Sequence, residues 1–377
     1  MRSSKGNKES VRVLHVNTQK SWRGGERQVF LLMKNLSILG VEQMLLCPNH
    51  SILADRAKNI PGLIIAKSSK KRGGVDFRFA RKLSQCVAQH KMNVIHAHDA
   101  HAHTASVLAT TFFRNKAKII VSRRVVFPIG KSWFTRFKYN HRIIGKIICV
   151  SKAISQIVEK SIHNKNIEIA VVHSGIDLSN YPEEGIDLFE EFSIPRGRTL
   201  IANAGALEIN KDYFTFLDTI RLLNEKEQNV QGLIFGVGGM KDELERYTEE
   251  MKMEDFVIFA GFKDNIHAYL KGADIFLFTS KMEGLGTAVL DAFALKVPVV
   301  ATDAGGISEM VRNEETGLLC AIGDANCLAL GVQRIIENVQ LRNALVEGAQ
   351  TKLLDFTSDK TAKQTLNHYH DLIKQIN

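Results

Sequence analysis

The strongest constraint on the fold is a rhythm. A short β-branched or aliphatic run is followed by a glycine-containing turn and then by a longer amphipathic stretch, many times over. "VRVLHVN" (11–17) reads as a buried strand, after which Gly24 and Gly25 lead into a helix from about Glu26 to Leu39. "NVIHAH" ends another strand, and "KIIVS" (118–122) and "KIICVS" (146–151) supply two more. Beyond residue 198 the series resumes with "TLIANAG", "GLIFGVG", "FVIFAG", "DIFLFTS" and "VPVVATD". Apolar strands separated by helical segments are the pattern of parallel sheets, whose crossover helices cover both faces. The series breaks at "YPEEGIDLFEEFSIPRGR" (181–198), where proline, glycine and acidic residues cluster. The expectation is an α/β chain of two doubly wound domains, 11–182 and 183–357, with a flexible tail at 1–10.

Charge divides at the same place. Residues 1–182 hold 31 Lys and Arg against 9 Asp and Glu, and the remainder holds 19 against 31. No acid occurs between Asp99 and Glu159, a span that includes Arg123, Arg124, Lys131, Arg136, Lys138 and Arg142. Such an asymmetry points to an anionic partner for the first half. No run of eighteen apolar residues is present, and "MRSSKGNKES" lacks the apolar core of a signal peptide, so a soluble cytoplasmic protein is expected. The five cysteines are scattered without a C-x-x-C pair; they read as small buried hydrophobes in a reducing compartment, with no disulfide framework.

"VIHAHDAHAH" (94–103) packs four histidines and an aspartate into ten residues. His96, His98 and His101 nearly reproduce the His-x-His-x-Asp-His zinc signature of metallo-β-lactamase-type hydrolases. That signature places an acid directly before its third histidine, where this chain has Ala100; the acid is Asp99. A zinc site also needs ligands converging from one side and partners downstream, so no metal is expected.

In open α/β sheets, ligands bind beyond the carboxyl ends of the strands. Gly24 and Gly25 follow the first strand, and their backbone amides at a helix start suit phosphate. After "TLIANAG" comes Lys211. After "DIFLFTS" come Glu283, two glycines and a helix bearing Asp291, and "AGGISE" follows "VPVVATD". A lysine and two carboxylates among these turns point to a nucleotide cleft.

The stretch "SKMEGLGTAVLDAFALKVPVVATDAGGISEMVRNEETGLLC" (280–320) resembles the donor-binding core of glycosyltransferase family 4. "WRGGERQ", "NVIHAHD", "CVSKAI", "VVHSGID" and "GALEINKD" are similar to other motifs of that family, so the likeness runs nearly the whole length. It implies a GT-B fold, two Rossmann-like domains facing across a cleft, with a C-terminal helix (358–377) crossing back to the first. It also implies a retaining, metal-independent hexosyltransferase that uses a nucleotide-diphosphate sugar, UDP favoured over GDP, and no further cofactor.

Carried onto this chain, Glu283 would hold donor-sugar hydroxyls. Asp291, where the family has Glu, would hold the ribose from one methylene further back. The amides of Leu285, Gly286 and Thr287, with Gly24, Gly25 and Lys211, would meet the diphosphate. The arginine that usually accompanies Lys211 is replaced by Ala206. Phe262 and Lys263 would flank the nucleobase. His98 would face the donor sugar near its reacting carbon, with His96 a packed structural residue and His101 and His103 capping, solvent-facing or lining the acceptor pocket.

The acceptor, a glycan or lipid-linked glycan in lipopolysaccharide or surface-polysaccharide assembly, is expected on the basic half. There Arg123 and Arg124 could grip a phosphate or acidic sugar. "GKSWFTRFKYNHR" (130–142) interleaves Trp133, Phe134, Phe137 and Tyr139 with Lys131, Arg136, Lys138 and Arg142, the composition of a helix lying on an anionic membrane surface. "KSSKKRGGVDFRFARK" (67–82) could extend that patch. The expected location is therefore cytoplasmic and peripheral on the inner face of the membrane. A nucleic-acid binder would not need Lys211, Glu283 and Asp291 at strand ends, so no nucleic acid is expected. A sugar-nucleotide epimerase of the same fold would need no acceptor. The strict G-x-G-x-x-G fingerprint of a dehydrogenase does not follow the first strand.

Overall fold

The computed structural model describes residues 10–69, 75–130, 132–226 and 228–374. Almost all of the expected 1–10 tail, together with Lys131 and residues 70–74 of the second basic patch, lies outside them. The chain divides into two compact units: Met1–Gly175 with Ser358–Asn377, and Ile176–Thr357. The boundary thus falls a few residues before the expected 182/183, and the closing segment 358–377 groups with the first unit.

Strands β1 (Arg12–Val16), β2 (Glu42–Pro48), β3 (Leu63–Ser68), β4 (Val94–Ala97), β5 (Lys118–Arg123), β6 (Ile144–Cys149) and β7 (Glu168–Val171) form the first sheet. Its order is β3-β2-β1-β4-β5-β6-β7, with every neighbour parallel. The second unit has β8 (Thr199–Ala204), β9 (Val230–Phe235), β10 (Val257–Gly261), β11 (Ile275–Phe278), β12 (Val299–Thr302) and β13 (Leu318–Cys320), in the parallel order β10-β9-β8-β11-β12-β13. Strand order reverses between β1 and β4 in one sheet and between β8 and β11 in the other. Crossover helices leave to opposite faces at such points, opening a crevice beyond the strand ends. The loops that carry Gly24, Gly25, Asp99, Lys211 and Glu283 follow β1, β4, β8 or β11, while Arg124 follows β5 and Phe262 follows β10.

Local chemistry sets the helix starts. Gly24 and Gly25 are the first residues of the helix Gly24–Ile38 rather than a turn before it, and Glu26 Oε2 accepts the Arg23 N–H at 3.1 Å. The closing helix Ser358–Lys374 buries Ala362, Tyr369, Leu372 and Ile373 against Val13, Leu36, Val94, Ile120 and Ile148. Each large apolar side chain so buried contributes about 1.5–3 kcal/mol, so this helix is part of the first core.

The cysteines require a correction. Cys320 and Cys327 are disulfide-bonded, their Cα atoms 5.8 Å apart, whereas Cys47, Cys86 and Cys149 are free and buried. The turn after β13 doubles the chain back so that the helix Ala325–Glu337 brings Cys327 onto the strand end, a pairing that no C-x-x-C search would detect. Burial pushes the thiol of Cys149 up to about 12.

Candidate functional site

At the β1/β4 switch point, His15 pairs across the sheet with His96, and His98 follows two residues later on the same face. The three rings touch, His96 and His98 most closely at 4.1 Å between centroids. Their hydrogen bonds have one consistent direction. Gln43 Nε2 donates to the Met33 carbonyl at 3.0 Å, which turns Oε1 toward His15 Nε2 at 3.1 Å. His15 Nε2 must then donate, leaving Nδ1 to accept from His98 Nε2 at 3.0 Å, and His98 Nδ1 accepts from Arg124 at 3.3 Å. His96 is held separately by Tyr369 OH at 2.6 Å and Ser122 Oγ at 2.7 Å. The tautomers suit neutral rings. Burial depresses the His15 pKa to about 4 and drives those of His96 and His98 well below the ordinary value.

The histidines that converge are therefore His15, His96 and His98, with ligand-capable atoms within 4.8 Å of one another, and His101 is not in the group. Every ring nitrogen of the trio already has a hydrogen-bond partner in the chain, two of them each other, so a metal would have to break that network. Asp99 also has another task. Its Oδ1 accepts from the His101 and Ala102 amides at 3.0 and 2.9 Å, capping the helix Ala100–Phe113. The same carboxylate takes the Thr18 amide at 2.6 Å and hydroxyl at 2.7 Å, tying the ends of β1 and β4 together.

His98 is enclosed by the same network. It is 6% exposed, both ring nitrogens are engaged, and its carbonyl accepts from Arg124 at 3.0 Å. Its ring forms a wall of the crevice with both nitrogens bonded to groups of the chain. That wall belongs to a cavity of ≈540 Å3 lined by Arg23, Gly25, His98, His103, Arg123 and Arg124 among others. A Cβ added at Gly24 or Gly25 would meet nothing within 4 Å, so packing does not demand glycine there and the helix start stands open.

In the second unit, Lys211 and Glu283 follow β8 and β11 and form an ion pair, with Ser280 Oγ donating to the same carboxylate at 3.2 Å. Lys211 Nζ also lies 5.0 Å from the Phe278 ring centroid. Gly286, at φ +85, opens the helix Thr287–Ala294, which no side chain caps. Its leading amides therefore keep the partial positive charge of a helix N-terminus. Gly305, at φ +61, comes so close that a Cβ would lie 2.0 Å from the Glu283 carbonyl oxygen; only glycine lets the β12 turn support the Glu283 loop. Leu285 is buried beneath this turn.

Asp291 is 7% exposed, and its carboxylate accepts from Tyr181 OH and lies 3.5 Å from His267 Nε2. Tyr181 and His267 stack with centroids 4.5 Å apart. Phe262 is 66% exposed after β10, but Lys263 is turned onto Glu191 at 3.5 Å and over the Tyr269 ring at 4.7 Å. Lys281, the cation next along from Ser280, is paired with Asp212 at 2.9 Å.

The aromatic basic stretch divides by face. Trp133, 78% exposed, stacks with Phe134 and Phe137, and Arg136 is exposed beside them. Lys138 is a correction: it is buried, its Nζ 3.4 Å from both the Ala100 carbonyl and Thr104 Oγ1, and cannot lie on a membrane face. The seven-residue helix Trp133–Tyr139 turns Lys138 and Tyr139 toward the core and leaves Trp133 and Phe137 outside.

His15, Gln43, Tyr181 and His267 were not singled out from sequence. A lone histidine inside the apolar strand "VRVLHVN" was the one available signal; the others depend on register and loop placement.

Residues 22–180 match the family described as Glycosyltransferase Family 4, and residues 186–352 match Glycosyl transferases group 1. An N-acetylgalactosamine-N,N'-diacetylbacillosaminyl-diphospho-undecaprenol 4-alpha-N-acetylgalactosaminyltransferase from Campylobacter jejuni is 28% identical over 209 residues, 55% of this chain and 54% of the relative. The chain therefore spans about half the length of that relative. Among solved structures, a glycosyltransferase from Rickettsia africae superimposes with a TM-score of 0.82 at 19% identity, covering 97% of this chain and 99% of the other. HepE from Anabaena, solved with UDP and glucose, gives 0.80 at 17% identity over 95% of this chain and 99% of the other. The fold is GT-B.

Proposed function

Because the chain belongs to the group 1 glycosyltransferases of family 4, we propose that it transfers a hexose-type sugar from a nucleotide-diphosphate sugar to a glycan or lipid-linked glycan. The observation that carries this reading is the Lys211–Glu283 pair beside the uncapped helix start at Thr287, all at the β8/β11 switch point. Breaking the anomeric carbon–phosphate bond passes through an oxocarbenium-like state while charge gathers on the departing diphosphate. An ammonium group and amides fixed in advance around that charge lower the barrier without reorganisation. Lys211 and the amides of Leu285, Gly286 and Thr287 take that role, with Glu283 orienting Lys211 and accepting sugar hydroxyls. Asp291 reaches a ribose through, or in exchange for, its Tyr181 and His267 contacts, and exposed Phe262 offers a face to the base.

UDP is the favoured donor nucleotide, supported by the UDP bound in HepE. Retention of configuration and independence of metal are part of the same proposal. A thermal-shift series with UDP, GDP and ADP, each with and without EDTA, tests it. A nucleotide held at a hundredfold its Kd should stabilise by about 2.7 kcal/mol, with UDP giving the largest shift and EDTA leaving it unchanged. A series flat for all three nucleotides, or a shift abolished by EDTA, would sink it.

On the first unit, Arg123, Arg124 and His101 serve the acceptor side, the amides of Gly24 and Gly25 are kept for a diphosphate, and His98 acts as a positioning residue. The undecaprenol-linked substrate in the name of the Campylobacter relative supports a lipid-linked acceptor and a role in lipopolysaccharide or surface-polysaccharide assembly. No helix among the described residues is long and apolar enough to cross a membrane. Peripheral attachment at the inner face would use Trp133, Phe137 and Arg136. Trp133→Ala should lower co-sedimentation with phosphatidylglycerol vesicles several-fold and leave binding to neutral vesicles unchanged. Equal binding of both proteins to both vesicles would remove the membrane role.

A further inference from the structure

The residues that line the cavity at the ends of β1, β4 and β5 include buried polar atoms that the chain itself does not satisfy. His103 is fully buried, and its Nε2 lies 3.1 Å from the Lys138 carbonyl. A carbonyl only accepts, so Nε2 carries the proton and Nδ1 presents a bare lone pair, for which the chain supplies no partner. Arg123 Nε and Arg124 Nε are likewise buried without partners, and both can only donate. The remaining guanidinium bonds go to neutral groups: Arg123 to Tyr139 OH at 3.0 Å and to the Phe127 carbonyl, Arg124 to His98. Among the described residues neither arginine forms an ion pair.

Two adjacent cations border one cavity; Glu26 and Asp99 act on Arg124 only through space, so an anion touching both guanidinium groups would add the charged acceptor that they lack. The carboxylates that line the same space are already engaged. Asp99 holds Thr18 and the helix amides, and Glu26 holds the Arg23 amide at 3.1 Å and Asn17 at 3.4 Å. The open helix start at Gly25 adds to the positive side. A bare anion would satisfy the arginines but not His103 Nδ1, which needs a hydroxyl donor. A cavity of ≈540 Å3 is also within the range that holds a whole small molecule.

We propose that this cavity receives an anionic sugar, a hexose carrying a phosphate or carboxylate group, whose acid group lies against Arg123 and Arg124 and whose hydroxyl donates to His103. This rests on the reading of the first unit as the acceptor side and names the class of acceptor. Phosphate and carboxylate share the recognition chemistry, and the test separates them.

Calorimetric titration of the full chain with glucose, glucose 6-phosphate, glucuronate and inorganic phosphate, with UDP measured in parallel, provides the test. Glucose 6-phosphate or glucuronate should bind at least tenfold more tightly than glucose and than inorganic phosphate, and whichever is tighter identifies the acid group. Arg123→Gln should weaken that binding about tenfold, and His103→Phe should weaken it while sparing inorganic phosphate. Urea unfolding of both variants followed at Trp22 and Trp133, with midpoints close to the wild type, shows that their first unit is folded. Equal affinity for glucose and its acids, phosphate alone binding as tightly (an adventitious ion only), or variants that bind like the wild type would overturn the proposal. If UDP binds and no sugar does, this inference falls alone; if UDP also fails, the glycosyltransfer reading falls with it.

Discussion

Lys211→Ala is expected to lower kcat by about 100- to 1,000-fold, on the order of 3 kcal/mol of transition-state stabilisation. The ammonium is 20% exposed and its partner Glu283 is 12% exposed, so water cannot readily replace the lost charge. Ala206 carries no charge and Lys281 is paired with Asp212, so little is left to compensate. The loss should fall on kcat more than on KM, because the diphosphate, already anionic in the bound donor, gains its further negative charge only as the bond breaks. Lys211→Arg should recover part of the rate by keeping the charge. A thermal melt separates this from instability, since Glu283 also loses its partner. Turnover of the folded alanine variant within threefold of the wild type would remove Lys211 from the reaction.

The second large effect is acid sensitivity of the first unit. His15, His96, His98 and His103 are buried as neutral rings, and burial holds each below its ordinary pKa, His15 at about 4. A group whose folded pKa is depressed binds more protons in the unfolded chain as pH falls, so its stabilisation is complete above about pH 6.5 and drains away toward the folded value. For His15 alone that amounts to roughly 3 kcal/mol between pH 6.5 and 4. Carboxylates held below their usual range, such as Asp187 and Glu314, lose stability only at lower pH, so the interval from 6.5 to 5 reports histidine. Urea midpoints followed by a signal from Trp22 or Trp133 should fall steadily across that interval. His15→Gln, which keeps a polar group beside Gln43, should flatten the fall. A midpoint constant down to pH 5 would mean that these rings are solvated or charged in the folded chain.

Much of the architecture was legible because parallel strands and their glycine turns are local signals. "TLIANAG" and "DIFLFTS" became β8 and β11, and the loops behind them carry Lys211 and Glu283 together, as their positions after neighbouring strands required. The 280–320 stretch was informative for the same reason: a strand end, a left-handed glycine and a helix start are contiguous in the chain, so spacing alone determines their geometry.

The histidine cluster shows where local reading stops. Within "VIHAHDAHAH" the residues are close in sequence, yet what each does was decided by groups brought in from far along the chain. Gln43 and His15 come from other strands, Tyr369 from the closing helix, and Thr18 from the loop after β1. These contacts turn Asp99 into a cap and tie, His96 into a packing residue and His98 into a buried wall. Lys138 was misjudged for a similar reason, since composition counts a charge but only helix phase and the neighbouring helix decide whether it faces water. Cys320 and Cys327 likewise pair because a turn reverses the chain. The sequence by itself determined which strands and turns exist, since those depend on neighbouring residues; only the tertiary structure decided which side chains share a proton, a charge or a bond, since that depends on register between segments dozens of residues apart.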